Sequence, residues 1–587
     1  MVLSANGQTS VWDGSHSTWT NGAGTQESPY LIENAAQLAH LAYIVNNGID
    51  ANGDNIVGAD TYWKLMTDID LNGSETFQWT PIGYYNSDDD YYSFGGNFDG
   101  NNHTIANLYI NTDLWQRIGL FGSVQEATIT NLGIVGTSSV TIGLSFESDV
   151  YAGGMAGYAS NTGFDNCYNT GIVSAYSQYS YSGGIVGYAV GNIVNNCYNT
   201  GSVYASYNSG GIFGYVDGMT VTDCYNTGSV SSSYFSGGIA AMCVTNSPIS
   251  TINNCKNTGD VSSFGISSSY SGGIFGYAAG FAGNIIVNNC NNTGSVYSSS
   301  STYCYSGGIV GYGVNTAITD CYNMGGISAV SSSGYYFSSS GGIGGAVSST
   351  TVNNCYNTGN IYSSDSEHDY ASVSGGIIGN VGNTTINNCY NAGTINSDYS
   401  GGIGGYDVNT TINNCYNIGT INSDIDVYQG GIAGYSSGGA VNYSYYLVTC
   451  GGNNTYGGEV KTEELMKDAG FITLLNQDLA TPAWEMDCNP PINNGFPILL
   501  WQTCEGSDAV ETIENQSIII YPNPAKDIIT IASSELQNET YTVFSISGQA
   551  LMRGKLQGET TTINVSSLAS GIYFIKAGNY AGRFVKQ

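Results

Sequence analysis

One phrase recurs about ten times along this chain, and it constrains the fold more than anything else in the sequence. It reads S-G-G-I-V-G-Y, then a variable stretch, then T-I-N-N-C-Y-N-T-G-S-V. Clean copies are Ser182-Gly183-Gly184-Ile185-Val186-Gly187-Tyr188 and Thr385-Ile386-Asn387-Asn388-Cys389-Tyr390-Asn391. The repeat cysteines fall at 167, 197, 224, 255, 290, 321, 355, 389 and 415, with spacings of 26 to 35 residues. A repeat of that period is one supersecondary unit that buries its apolar side only by stacking on its neighbours. The 587 residues therefore need not divide into many domains, because a stack grows without a size limit.

Each repeat offers three short β-capable runs between Gly and Asn turns. In one copy they are Gly210-Gly211-Ile212-Phe213-Gly214-Tyr215, Thr220-Val221-Thr222 and Gly228-Ser229-Val230. Three strands per repeat predict one coil of a parallel β-helix, with Ile, Val and Cys pointing inward. Asn and Gly then take the corners, where positive φ is tolerated. Degenerate copies, Thr128-Ile129-Thr130-Asn131-Leu132 and Thr104-Ile105-Ala106-Asn107-Leu108, place Leu at the Cys position. That exchange marks the Cys as a small buried hydrophobe rather than a reactive thiol. Roughly eleven coils would make a rod about 50 Å long. The open ends of such a stack need covers. Asn34 can cap a helix whose Leu38, Leu41, Ala42 and Val45 share a face, and Thr462 can cap Glu463-Glu464-Leu465-Met466-Lys467.

The expected architecture is all-β, a parallel β-helix with helical end caps followed by a small antiparallel β-sandwich. Expected boundaries are a signal-peptide remnant at 1–7, ending in the small residues Ala5 and Gly7, and an N-terminal cap with the first coils at 8–117. Repeats follow at 118–445, a C-terminal cap at 446–504 and an acidic, polar linker at 505–516. The sandwich takes 517–587, with strands at 517–521, 527–531, 540–546 and 571–576. Six of the eleven basic residues lie beyond residue 505.

Composition excludes several partners. With 11 basic and 44 acidic residues the net charge is -33, which repels nucleic acid and anionic membrane surfaces. No stretch approaches the roughly 18 apolar residues of a membrane helix. Only four His are present, no H-E-x-x-H occurs, and Lys256 is the sole basic residue between Arg117 and Lys461. A lyase needs a base and a cation, so the repeats look unsuited to it and no enzyme is expected. The alternative is a β-helix carbohydrate-active enzyme, a glycoside hydrolase or lyase, and a cleft with converging carboxylates would favour it. A Thr-x-Thr ice-binding array is not regular enough to read.

Asp50, Asn52, Asp54 and Asp60 are spaced like ligands of a calcium loop. Asn55 stands where that loop needs its turn Gly, and Asp60 falls one residue early, so a plain polar loop is the expectation and no cofactor is required. Ser87-Asp88-Asp89-Asp90 reads as a solvated acidic cluster. Cys488 and Cys504 flank the end of the repeats and are the better disulfide candidates, whereas the ladder Cys are expected to be free. Loop tyrosines at 176, 179, 181, 204, 207, 335 and 336 are equally consistent with sugar or protein contacts and with strand formation.

Two resemblances follow from longer phrases. Residues 25–502 resemble the GLUG-motif repeat proteins of bacterial surfaces. The carrying phrases are Pro29-Tyr30-Leu31-Ile32, Asp68-Ile69-Asp70-Leu71, Phe98-Asp99-Gly100-Asn101 and Asn494-Gly495-Phe496-Pro497-Ile498-Leu499. That likeness implies a β-solenoid with surface or adhesive roles and brings no catalytic set. Tyr521-Pro522-Asn523-Pro524-Ala525-Lys526-Asp527, then Leu568-Ala569-Ser570-Gly571-Ile572-Tyr573 and the terminal Phe584-Val585-Lys586, resemble a type IX secretion C-terminal sorting domain. The likeness implies that Tyr521, Pro522, Asn523, Pro524, Asp527, Gly571, Phe584, Val585 and Lys586 form the sorting signal. It further implies the type IX machinery as partner, a Bacteroidota-type host, and passage through the periplasm to the outer-membrane exterior. A surface glycan or protein ligand is then the expected target of an adhesin.

Overall fold

The computed structural model describes residues 9–49, 56–84, 92–143, 149–245, 249–281, 284–332, 338–365, 372–422, 428–453 and 455–504. In the C-terminal part it describes 519–521, 525–532, 540–545, 550–556, 560–568, 571–577 and 580–586. The chain forms two compact units. One holds residues 1–486 and 496–501, the other 487–495 and 502–587.

The first unit is a parallel β-solenoid of about 12 turns. A typical coil runs Val186–Val190, Ile193–Asn195, Tyr198–Asn199, Val203–Ala205 and Asn208–Gly210 before the next begins at Phe213–Asp217. Each segment pairs in parallel with its equivalent one coil away, as in Tyr188 with Tyr215 and Asn199 with Asn226. The three strands expected per repeat are thus five, which feed four sheets. Two local causes split the longer runs. Asn196 and Asp223, just before each Cys, have φ of 51° and 55°, which breaks the strand at a left-handed corner. At Gly211 a Cβ would sit 2.1 Å from the Gly238 carbonyl oxygen, so the Gly-Gly pair is a corner rather than the start of a strand.

The repeat cysteines form the inner column that the Leu exchanges indicate. All nine are buried and free. Neighbours link along the stack, for example with the Cys290 N–H donating to Cys321 Sγ at 3.4 Å. Burial holds the thiols of Cys290, Cys321 and Cys355 well above their ordinary range, so they stay neutral. Leu132 continues the column, since the next residue, Gly133, pairs with Tyr168. Leu108 does not. Thr104 pairs with Gly133 and Ile105 with Ile134, so the copy at 104–108 lies one segment further on than its sequence suggests.

A second inner column was not expected. Asn169, Asn199, Asn226, Asn257, Asn292, Asn323, Asn357, Asn391 and Asn417 are all buried. From Asn169 to Asn391, each side-chain amide N donates to the next coil's Asn Oδ1 at 2.8–2.9 Å, and Asn417 ends the row. Each also donates to the carbonyl of the Gly two residues on, as Asn292 does to Gly294 at 2.7 Å. Buried amides need this satisfaction. Asn292→Ala leaves the Asn323 Oδ1 and Gly294 O unpaired, and is expected to cost about 2–3 kcal/mol in denaturant unfolding. Asn288→Ala, in the half-exposed outer row, is expected to cost under about 0.5 kcal/mol. Equal losses would contradict the inner ladder.

The ends are covered as the helix signals indicate. Asn34 caps α1 (Ala35–Asn46), its Oδ1 accepting from the Gln37 N–H at 3.1 Å, and Leu38, Leu41, Ala42 and Val45 are buried. Thr462 caps α2 (Glu463–Met466), and Lys467 pairs with Glu463 at 2.7 Å. The C-terminal cap does more than close the stack, because it folds back along one face. Trp484 packs on Tyr390 and Tyr416, and Trp501 on Tyr322 and Tyr356. The Trp501 indole N–H donates to the Asn354 carbonyl at 2.9 Å.

The second unit holds two small antiparallel sheets. One contains Ile519–Tyr521, Ile528–Ala532 and Thr560–Asn564; the other contains Ala550–Lys555, Thr540–Ser545, Gly571–Ala577 and Tyr580–Lys586. Ile529, Ile531, Val543, Ile563, Ile575 and Phe584 share its core. Cys488 and Cys504 are joined by a disulfide.

Candidate functional site

The terminal phrase is built into the second unit rather than trailing from it. Phe584 is fully buried and stacks on Tyr573 at 5.6 Å. Lys586 is 8% exposed and bridges to Ala525. Gly571 pairs with Lys586 and Ile572 with Val585, which makes the last strand an edge of the four-stranded sheet. Tyr521 lies in a strand opposite Thr530, and the Asp527 carbonyl accepts from the Val565 N–H at 2.8 Å. Pro522, Asn523 and Pro524 lie outside the described residues.

On the solenoid, outward tyrosines stack coil on coil. The rings of Tyr168, Tyr198 and Tyr225 stack face to face with successive centroids 4.7 Å apart, nearly parallel. The column is interrupted by Lys256 and Asn291, which pair in register with Tyr225 and Tyr322, and then resumes from Tyr322 to Tyr416, where Trp501 and Trp484 of the cap cover it and Tyr390 and Tyr416 are buried. The tyrosines of the other ladders form separate stacks. Tyr181 packs against Tyr188, Tyr207 and Tyr215, and Tyr176 against Tyr204 at 5.1 Å. Tyr335 and Tyr336 lie outside the described residues.

Of the calcium candidates only Asp60 is described. It occupies a left-handed turn with φ of 59°. Asp50, Asn52 and Asp54 lie outside the described residues, as does the 87–90 cluster. Among the described residues no three His, Cys, Asp or Glu side chains gather as metal ligands.

Two concavities stand out. One, of about 270 Å³, lies at the N-terminal cap between Trp12, His16, Tyr43 and Trp79. The larger is a cleft of about 620 Å³ near the other end of the stack. It opens where the strands of one ladder shorten abruptly, from Ile361–Asp365 to Ile395–Asn396 and Ile421–Asn422. Asp365 and Asp398 line it, each 8% exposed. Asp398 Oδ2 accepts from the Ser372 N–H at 3.0 Å and from its hydroxyl at 2.9 Å. Asn422 Nδ2 donates to Asn396 Oδ1 at 2.7 Å, and Tyr362 is 46% exposed. The sequence carries one signal for this cleft: Cys389 and Cys415 are 26 residues apart, against 34 for the preceding repeat.

Residues 519–587 match the family of secretion system C-terminal sorting domains. The chain is thus a type IX secreted protein with a β-solenoid, exported and attached at the cell surface. No helix among the described residues is long and apolar enough to cross a membrane. Two curated relatives match part of the chain. One is a provisionally named Gly-rich membrane protein of Evansella cellulosilytica, 33% identical over 131 residues, or 22% of this chain. The other is halomucin of Haloquadratum walsbyi, 33% identical over 159 residues, or 26% of this chain. The chain spans only 13% and 2% of those relatives' lengths. A crystal structure of a Bacteroides ovatus protein, provisionally called an immunoglobulin A1 protease, aligns over 83% of this chain and 96% of its own. Its identity is 20% and its TM-score 0.23, too loose a likeness to carry fold or activity across.

Proposed function

We propose that this chain is a surface adhesin whose solenoid binds glycan or protein ligands outside the cell. The observation that carries the reading is the pairing of a sorting domain at 519–587 with a long stack of regular, polar-aromatic outer columns. Export brings the stack to the surface, and repeated Tyr and Asn positions offer ring edges, hydroxyls and amides at coil spacing. The GLUG-like repeat phrases and the Bacteroidota-type sorting phrases support the same role. Cells that display the protein are expected to adhere to glycan- or matrix-coated surfaces at least several-fold better than cells lacking it. Equal adhesion across a broad panel of coatings would count against the reading.

A hydrolytic reading has one observation in its favour, which is that Asp365 and Asp398 line one cleft. A pair of carboxylates is the usual equipment for glycoside cleavage. It predicts release of reducing ends from a polysaccharide, lost in both Asp365→Asn and Asp398→Asn.

A further inference from the structure

We propose that His16 and His40 form a zinc-binding pair that clips the entering chain to the N-terminal cap helix. The pair lies on α1, at the end of the stack away from the cleft, and does not depend on the adhesive reading.

Histidine is scarce in this chain, with four in 587 residues. Two of them, 24 positions apart, meet with Nδ1 to Nδ1 at 3.4 Å. Two nitrogens held at about 2.0–2.1 Å by a tetrahedral zinc lie about 3.3–3.4 Å apart, so the pair already has the edge length of such a site. Neutral imidazole is the commonest protein ligand for a metal ion. Among the described residues neither ring makes another hydrogen bond, so a metal would replace only one long, weak contact.

The framework holds both rings. His40 sits on α1, whose Leu38, Leu41, Ala42 and Val45 anchor it by burial. His16 follows a turn in which Asp13 Oδ1 accepts from the Ser15 N–H at 2.9 Å, and the Trp12 indole N–H donates to the Ser15 carbonyl at 2.9 Å. One residue past His16, the Ser17 N–H donates to the Ala36 carbonyl at 3.0 Å, which ties the segment to the helix. Aromatic rings set the planes. The His16 ring stacks on Tyr43 at 4.3 Å, and Trp19 meets the His40 ring edge-on at 4.9 Å. Both imidazoles are thus placed before an ion arrives, which lowers the ordering cost of binding.

The donor set selects the ion. Two neutral nitrogens suit zinc and its first-row neighbours, and offer nothing to calcium or magnesium, which take oxygen. No third His, Cys, Asp or Glu joins the pair among the described residues, so solvent completes the coordination and the ion exchanges freely. Its effect is mechanical, because it links the chain after strand Ser10–Val11 to the helix that covers the open end of the stack.

The test uses the untagged full-length chain, freed of metal by a chelator, and calorimetric titration with zinc chloride, with calcium chloride as the oxygen-seeking control. The expected result is a single equivalent of zinc and no response to calcium. Affinity should fall at least about tenfold in His16→Ala and in His40→Gln. It should be unchanged in His103→Ala, whose ring pairs instead with Asp68. Zinc should also raise the melting temperature and slow hydrogen exchange over residues 12–17 in the wild type, and do neither in His16→Ala. His16 is exposed, so His16→Ala should fold as the wild type does and keeps the test valid if His40→Gln does not fold. Zinc binding that survives in both variants would overturn the pair as the site. Loss in His103→Ala alone would move the site to Asp68 and overturn it equally. Competition by calcium would show oxygen ligands and overturn the donor set. Absence of any zinc response at millimolar concentration would overturn the proposal outright.

Discussion

Asp407→Val is expected to raise the stability of the solenoid by several kcal/mol at neutral pH and to flatten its decline with rising pH. Asp407 points inward. Its column carries Ala189, Val216, Cys243, Ala278, Gly313, Val347 and Val381 in other coils, and it pairs with Val381 and Ser436. It is 1% exposed, and neither carboxyl oxygen has a hydrogen-bond partner. Burial alone pushes its carboxyl up to about 8. The folded state therefore keeps a proton that the unfolded chain releases near the ordinary Asp value. Stability from this group is fully present below about pH 4, falls as pH rises, and levels off above about pH 8. At pH 7 the difference amounts to about 4 kcal/mol. Asp407→Asn should remove the slope while keeping a buried polar group. Asp407→Val should also add apolar burial. Thermal melts from pH 4 to pH 9 check both. A Val variant that melts lower than wild type, with the slope unchanged, would show that Asp407 is not buried unpaired.

Cys321→Asp should do the opposite, and severely. Cys321 is fully buried in mid-stack, where it accepts from Cys290 and its own thiol donates to the Thr319 carbonyl at 3.1 Å. Both positions have a coil on each side, but Cys321 lies in mid-stack whereas Asp407 lies one coil from the end of its ladder, whose last strand is Ala433–Ser437. The cost of Cys321→Asp is expected to exceed about 4 kcal/mol, against about 1–2 kcal/mol for Cys321→Ala. In a stack held by nearest-neighbour contacts, the damage should show first as faster hydrogen exchange in the coils carrying Cys290 and Cys355. Near-equal melting of the two variants would mean that the Cys column faces solvent.

Much of this fold was legible because each signal is local and repeated. The Cys-to-Leu exchange at Leu132 revealed an inner column, and the Asn34 and Thr462 caps revealed where helices begin. The five-strand coil was harder to read. Its breaks depend on backbone sign at Asn196 and on contact between Gly211 and the Gly238 carbonyl, and neither changes the apolar pattern. The buried Asn ladder had a readable signal, an Asn two residues after each Cys with Gly two residues further on. Polar residues beside turns are ordinarily taken as corner residues, and that masked it. The cleft was least legible. Repeat length is visible in sequence, but the concavity depends on which ladder shortens, and only packing decides that.

The sorting domain carries the account of where this protein acts, and its last strand cannot be trimmed without removing Phe584 from the core. Export is therefore tested most directly with the whole second region removed. The measurement is protease accessibility of the solenoid on intact cells of a type IX-competent host, comparing the full chain with one ending at residue 504. The account predicts surface digestion of the full chain, and a folded, protected, periplasmic solenoid for the shortened one. Digestion of both on intact cells at equal rates would contradict it.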